Sequence, residues 1–206
     1  RVLALFMFLL PGLAHAQLKI EVLHRRPLAE AARDGNIEVL RAQIAANVSP
    51  NQQDLEFRPA IVNAAANGHT EAVRILLEAK ANPDDRDRTN RTALMWAAER
   101  GHVASVQLLI AGKAGLNLDE RGTGMTALMI AAREGHLPVV EALVRAGADM
   151  KVADVTGRTA LAQAEAMNRR PAVSGRISAR RCISATSRTS TTGRPYCGSI
   201  GSLPFS

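Results

Sequence analysis

An all-α solenoid of stacked helix-turn-helix units is the fold this sequence predicts, and three observations predict it. One six-residue phrase occurs four times: Ala31-Ala32-Arg33-Asp34-Gly35-Asn36, Ala64-Ala65-Ala66-Asn67-Gly68-His69, Ala97-Ala98-Glu99-Arg100-Gly101-His102 and Ala131-Ala132-Arg133-Glu134-Gly135-His136. The glycines of these copies are spaced 33, 33 and 34 residues apart, a period that marks stacked helical repeats rather than one closed globule. Each copy is followed by an apolar segment at helical spacing and then by a stretch rich in Asp, Asn, Gly and Thr.

The units read as 22–54, 55–87, 88–121 and 122–154, with a partial fifth over 155–170. The third shows the logic. Its first helix runs over about residues 92–100, where Leu94, Ala97 and Ala98 fall at i, i+3 and i+4 on one narrow apolar stripe, while Met95, Trp96, Glu99 and Arg100 point elsewhere. Alanine at two of the three buried positions lets neighbouring backbones approach closely. Gly101 supplies a left-handed residue to end this helix, and Val103, Val106, Leu109 and Ile110 again sit at helical spacing in a second one. The chain then leaves the helical pattern over 111–115, and the next copy starts at Thr126; the corresponding stretches at 80–91 and 147–158 read as a turn or hairpin that projects from the stack. In the fifth unit 159–167 supplies only a first helix, and Asn168 stands in the place of the glycine.

Thr92-Ala93-Leu94, Thr126-Ala127-Leu128 and Thr159-Ala160-Leu161 each open a small-residue helix; Gly-His, Leu-Leu or Leu-Val, and Gly147-Ala148-Asp149 follow in register. In these landmarks the chain resembles the ankyrin repeat family over about residues 25–167. The departures are local. Where the family has Thr-Pro-Leu-His, this chain has Thr-Ala-Leu-Met or Thr-Ala-Leu-Ala, and the first two copies carry Pro27 or Pro59 where Thr is usual. Lys80 and Lys113 stand at the post-helix position that Asn47 and Gly147 hold in other units. If that position is left-handed, each Lys carries a local cost of roughly 1 kcal/mol.

The two ends differ from the middle. Residues 1–16 comprise Arg1, an apolar run over 2–13 and Ala14-His15-Ala16, which reads as a signal peptide cleaved before Gln17; the run is too short to span a bilayer. With abundant Ala and with 22 Arg against 4 Lys, a bias typical of GC-rich codons, this reading favours a bacterial periplasmic or secreted protein. From Ala172 onward there are 5 Arg, 12 Ser plus Thr, no acidic residue and no apolar periodicity. The segment 171–206 therefore reads either as a disordered tail or as a reading frame broken near Arg170. Its Cys182 and Cys197 could close a loop in an oxidising compartment, worth about 3 kcal/mol if the ends are otherwise ordered.

The tail also accounts for the charge. The formal net charge is +7, but without the tail arginines and Arg1 the chain carries 20 basic residues against 19 acidic ones. The sequence pI of about 10.4 is thus no sign of a nucleic-acid-binding face, and no nucleic-acid partner is expected.

Several residues suggest chemistry that their context does not support. His69, His102 and His136 recur at one position, yet equivalent positions in stacked helices lie roughly 8–10 Å apart. Ligands held at about 2 Å around one zinc cannot be so far from one another. A structural role at the corner between paired helices is expected for them, and no metal. Gly122-Thr123-Gly124-Met125-Thr126-Ala127 fits the loose dinucleotide pattern G-x-G-x-x-A but lacks the buried strand before it and the acidic residue after it. Gly124 is better read as a hairpin residue equivalent to Asn90 and Gly157. The acids Asp84-Asp85 and Asp119-Glu120 sit in hairpin segments, where solvated charge is the ordinary expectation. No catalytic residue, cofactor or small-molecule substrate is indicated.

What remains is surface. Stacked repeats present a long face of hairpins and inner helices that commonly binds another protein, and the family resemblance implies the same use. The function expected is a non-enzymatic protein-interaction module in the periplasm, acting as scaffold, inhibitor or protective partner. An effector secreted to a host is the alternative, and a concealed catalytic or ligand-binding domain a more distant one. The residue two after the first-helix Leu or Ile differs in size and charge among the units although its neighbours are nearly fixed: Glu30, Asn63, Trp96, Ile130 and Gln163. At 100° per residue Trp96 lies about 160° from the Leu94/Ala97/Ala98 stripe and should face outward. The expected binding centre is Trp96 and Ile130 with Asn63 and the charged pairs Glu99-Arg100 and Arg133-Glu134, rimmed by the hairpin residues Arg86, Arg88, Arg91 and Arg121.

Overall fold

The computed structural model describes residues 28–166. They form nine helices: α1 (Leu28–Asp34), α2 (Ile37–Ala45), α3 (Ala60–Ala66), α4 (Thr70–Glu78), α5 (Ala93–Arg100), α6 (Val103–Ala111), α7 (Ala127–Glu134), α8 (Leu137–Ala146) and α9 (Ala160–Ala166). The odd-numbered helices pack on one another in chain order and make an inner layer; α2, α4, α6 and α8 pack side by side as an outer layer. Single antiparallel bridges, Gln53 to Pro59, Arg86 to Thr92, Asp119 to Thr126 and Ala153 to Thr159, close four hairpins between successive units. The expected segment 1–16, the tail from 171 and both cysteines lie outside the described residues.

Small side chains set how closely the inner layer packs. Ala29, Ala32, Ala64, Ala65, Ala97, Ala98, Ala131 and Ala132 all have zero exposure, and the large side chains Leu28, Ile61, Leu94 and Leu128 fill the gaps beside them. The buried arc is wider than a single stripe. Met95 is 1 % exposed although it lies off the Leu94/Ala97/Ala98 row, because α5 is flanked by α3 on one side and α7 on the other as well as by its own partner α6. A stripe drawn for one helix pair misses the neighbours along the stack.

The helix ends follow the expected chemistry. The hydroxyls of Thr92 and Thr126 accept the Met95 and Met129 amides and cap α5 and α7, while Pro59, which offers no such acceptor, stands at the same place before α3. At the far ends of α5 and α7, Gly101 and Gly135 are left-handed, and the amides of His102 and His136 reach back to Ala97 and Ala131 in the six-to-one bond of a Schellman turn. The outer helices close in the same way, through Ala81 to Leu76 and Ala114 to Leu109. There the left-handed residue is lysine: Lys80 has φ 67° and Lys113 φ 63°, against 58° for Asn47 and 95° for Gly147.

Two of the repeated histidines hydrogen-bond into the unit before them. His69 Nε2 donates to the Arg33 carbonyl at 3.0 Å and His136 Nε2 to the Glu99 carbonyl at 2.8 Å. All three rings cover the glycines of the preceding corner: a Cβ on Gly35, Gly68 or Gly101 would lie 2.7–2.8 Å from the ring of His69, His102 or His136. Glycine is required there twice over, by its positive φ and by this contact.

The hairpins are tied by a second ladder. Asn51 Oδ1 accepts the Asn82 amide, Asp84 Oδ1 the Gly115 amide and Asn117 Oδ1 the Asp149 amide, all at 2.7–2.8 Å. Asp84, expected as a solvated charge, is thus a rung between units. Its neighbour Asp85 is pushed above the ordinary carboxyl value by burial and by the adjacent Asp84 charge, only in part offset by Asn82.

Leu128 is 1 % exposed in the inner layer, so Leu128→Ala should destabilise the stack by about 2–5 kcal/mol in urea unfolding followed by circular dichroism. Lys80→Gly should act in the opposite direction by up to about 1 kcal/mol, because it relieves a side chain from the left-handed region.

Candidate interaction face

Each hairpin carries an acid just after the first residue of its bridge: Asp54, Asp87, Glu120 and Asp154. In three of them one carboxylate oxygen folds the hairpin onto itself. Asp54 Oδ1 accepts the amides of Glu56 and Arg58, both at 2.9 Å; Asp87 Oδ1 accepts the Thr89 amide and hydroxyl and the Arg91 amide; Asp154 Oδ1 does the same with Thr156 and Arg158. The other oxygen reaches the inner helix that follows. Asn63 Nδ2 donates to Asp54 Oδ2 at 2.8 Å, Trp96 Nε1 to Asp87 Oδ2 at 2.8 Å, and Gln163 Nε2 to Asp154 Oδ2. The variable position of the inner helix therefore holds the hairpin down.

The fourth unit breaks the rule. Ile130 occupies the donor position and has no side-chain N–H to give, and Glu120 replaces the aspartate. The Glu120 carboxylate turns instead to Arg91, 3.2 Å from Nε, and to the Thr123 hydroxyl at 2.8 Å. That contact with Arg91 is a charge contact, since Nε lacks an aligned hydrogen-bond partner. Arg91 also forks onto Glu99, with Nη1 2.8 Å and Nη2 3.0 Å from its two oxygens, and Glu99 lies 3.7 Å from Arg133 Nη2. Arg133 Nε in turn meets Glu134 at 2.9 Å.

Around Trp96 three guanidiniums gather, Arg91 at 4.5 Å, Arg58 at 5.5 Å and Arg100 at 6.0 Å from the ring centroid. At the tip of the preceding hairpin Leu55 is 89 % and Phe57 59 % exposed, and the Arg88 guanidinium lies 5.4 Å from the Phe57 ring. Between these two hairpins runs a cleft of about 220 Å³ lined by Glu56, Arg58, Asp87, Arg88 and Thr89.

The expected binding centre is thus rearranged. Trp96 does not project freely: it is half-buried and tethered through its indole N–H, because the hairpin folds across the helix side that counting at 100° per residue leaves open. Ile130 and Asn63 have zero exposure and offer nothing to a partner, for the same reason. Arg91, expected at the rim, is buried and internally paired. Arg86 is half-buried, with Nη1 donating to the carbonyls of Asn90 and, in the next hairpin, Asp119. Glu99, Arg133 and Glu134 belong to the ion-pair chain. Arg88, Arg100 and Arg121 are exposed, as expected of contact residues. The sequence pattern did not single out Leu55, Phe57 and Arg58, although the alignment of hairpins held a signal. Phe57 (φ 58°) stands where Asn90 and Gly157 stand, a left-handed position that Asn and Gly adopt readily and a bulky side chain does not.

The hairpin acids are electrostatically distinct. Burial alone would raise the Asp54 and Asp87 carboxyls; the bonds from Asn63 and the Arg58 amide, and from Thr89, the Arg91 amide and Trp96, bring both below the ordinary value. Asp154, bonded foremost by the Thr156 hydroxyl and the Arg158 amide, is lowered to about 2. Among the described residues no group of three or more His, Cys, Asp or Glu is placed to hold a metal ion, and no helix is long and apolar enough to cross a membrane.

A family model described as ankyrin repeats, three copies, matches the chain over residues 28–121 and again over 104–174. No curated protein matches it.

Carboxyls with lowered values stabilise the fold when ionised. For Asp154 that contribution is complete above the ordinary value of 3.8 and is lost as pH falls towards about 2, so the urea midpoint should drop across that interval and change less with pH in Asp154→Asn. Trp96→Phe keeps the ring but leaves Asp87 Oδ2 without its donor, and should cost about 1.5–3 kcal/mol at neutral pH, read by the same unfolding assay.

Proposed function

The chain belongs to the ankyrin repeat family, and from that premise we propose that it is a non-enzymatic module, exported to the periplasm, that binds another protein as scaffold, inhibitor or protective partner. Ankyrin repeats are protein-interaction modules in general, and the fold presents what such a module needs. The observation that carries the reading is the contrast between two kinds of side chain on the hairpin face. The buried polar ones are engaged within the stack, whereas Leu55, Phe57, Arg88, Arg100 and Arg121 are held on a rigid frame and face solvent. Aromatic and arginine side chains of this kind are the usual energetic centres of protein interfaces.

Export rests on residues 1–16 with their small-x-small end, and on the arginine-over-lysine bias of the chain. Expression with a C-terminal tag, followed by cell fractionation and N-terminal sequencing, should place the protein in the periplasm with Gln17 first. Residues from the leader retained on the purified chain would contradict processing, and recovery only from the medium or a host cell would favour the effector alternative. Capture on the tagged protein, read by mass spectrometry, should return one protein that is lost with Phe57→Ala and Arg88→Ala together. Capture of nothing, or capture indifferent to both changes, would contradict the assignment of this face.

A further inference from the structure

We propose that the cleft between hairpins 53–59 and 86–92 receives the carboxylate of an acidic side chain in an extended segment of the partner, and that an apolar neighbour of that side chain seats on Leu55 and Phe57. The proposal rests on the interaction-module reading and names the chemistry of its partner.

The face is nearly balanced in formal charge, but its acceptors and donors are used unequally. Both oxygens of Asp54 and both of Asp87 are occupied by the hairpins themselves and by Asn63 and Trp96. Glu99 and Glu120 are turned inward on Arg91. Among the described residues Arg58, Arg88 and Arg100 have no carboxylate within ion-pair distance. Within the cleft, Glu56 is the exposed acid that remains, against the two arginines Arg58 and Arg88. The cleft thus offers more guanidinium donors than free carboxylate acceptors.

Contact with the rings keeps those donors usable. The attraction between a guanidinium and a ring uses none of the N–H groups as hydrogen-bond donors to a side-chain acceptor and leaves them for a planar acceptor. The Arg88 guanidinium lies 5.4 Å from the Phe57 centroid and that of Arg58 5.5 Å from the Trp96 centroid, and both arginines line the same cleft. Two guanidiniums without a carboxylate partner beside an apolar tip suit a carboxylate with an aliphatic or aromatic neighbour.

Phe57 adds an independent argument. It holds a left-handed backbone, φ 58°, with more than half of its surface in water. At that tip position Asn or Gly would fold more easily, as Asn90 and Gly157 do in other hairpins. Strain retained at an exposed apolar residue is the pattern of a contact site.

Selection of a displayed library of short random peptides against the full chain, with enriched peptides titrated by fluorescence anisotropy, tests this. Enriched peptides should carry Asp or Glu next to Leu, Ile, Phe or Trp. Their amide counterparts, with Asn or Gln for the acids, should bind at least about tenfold more weakly, and Arg58→Gln with Arg88→Gln should produce a similar loss. Phe57→Asn should weaken binding while raising the melting temperature, and Arg145→Gln on the outer layer should change neither. Enrichment of non-acidic peptides, binding indifferent to the two arginine changes, or tighter binding of a single-stranded oligonucleotide than of any peptide would overturn the proposal. If partner capture succeeds while those results are obtained, the module reading stands and only the acidic segment falls; if capture also returns nothing, both fall.

Discussion

The rest of the molecule depends on how closely the inner helices approach one another. Alanine at Ala64 and Ala65, Ala97 and Ala98, and Ala131 and Ala132 removes side-chain bulk from both sides of each helix, so a unit can bury two faces rather than one. The glycine corners and the histidine rings over them, and the Asn and Asp rungs between hairpins, span distances that this approach makes short enough. A larger residue in the alanine rows would separate units and break bonds far from itself, which is how interactions between nearest neighbours make a one-dimensional array cooperative.

Much of this was legible in the sequence, and the reason is repetition. The period, the paired small residues, the glycine corner and the hairpin composition were each visible several times, so an accident in one copy could not mislead. The left-handed lysines at 80 and 113 could be placed because Asn47 and Gly147 marked their position. What escaped was lateral context. Helical counting gives the direction of Trp96 from its own helix axis but not what lies there, and what lies there is a hairpin that Asp87 has folded across. Ile130 and Asn63 were misread for the same reason, and Met95 because a helix inside a stack has neighbours on both sides.

The variation among Asn63, Trp96, Ile130 and Gln163 therefore has two meanings. Three of these side chains do one task, donating to the acid of the hairpin before them, by three different N–H groups. The fourth gives that task up. Its hairpin acid, lengthened to Glu120, is drawn to Arg91 of the neighbouring unit, and the result is a chain of ion pairs from Arg91 through Glu99 and Arg133 to Glu134. Partly buried pairs of this kind contribute little net stability, because the cost of desolvating the charges offsets much of their attraction. They hold Arg91 against Trp96, which leaves the indole with one face committed to the protein.

The ladder through Asn51, Asp84 and Asn117 bears on how such a chain can change its length. Each rung joins an amide 31 residues downstream of its acceptor, except the last, where the separation is 32. The additional residue lies in the hairpin 119–126, where Gly122 is left-handed and a Cβ added to it would meet nothing within 4 Å, so the loop bulges while the rung survives. Gene duplication and slippage can therefore insert residues at the crest of a hairpin without shifting the register of the helices on either side. The same insertion between a rung and its helix would disturb the junction of that unit with its neighbour, so the hairpin crests are where this array can acquire new specificity by gaining or losing sequence.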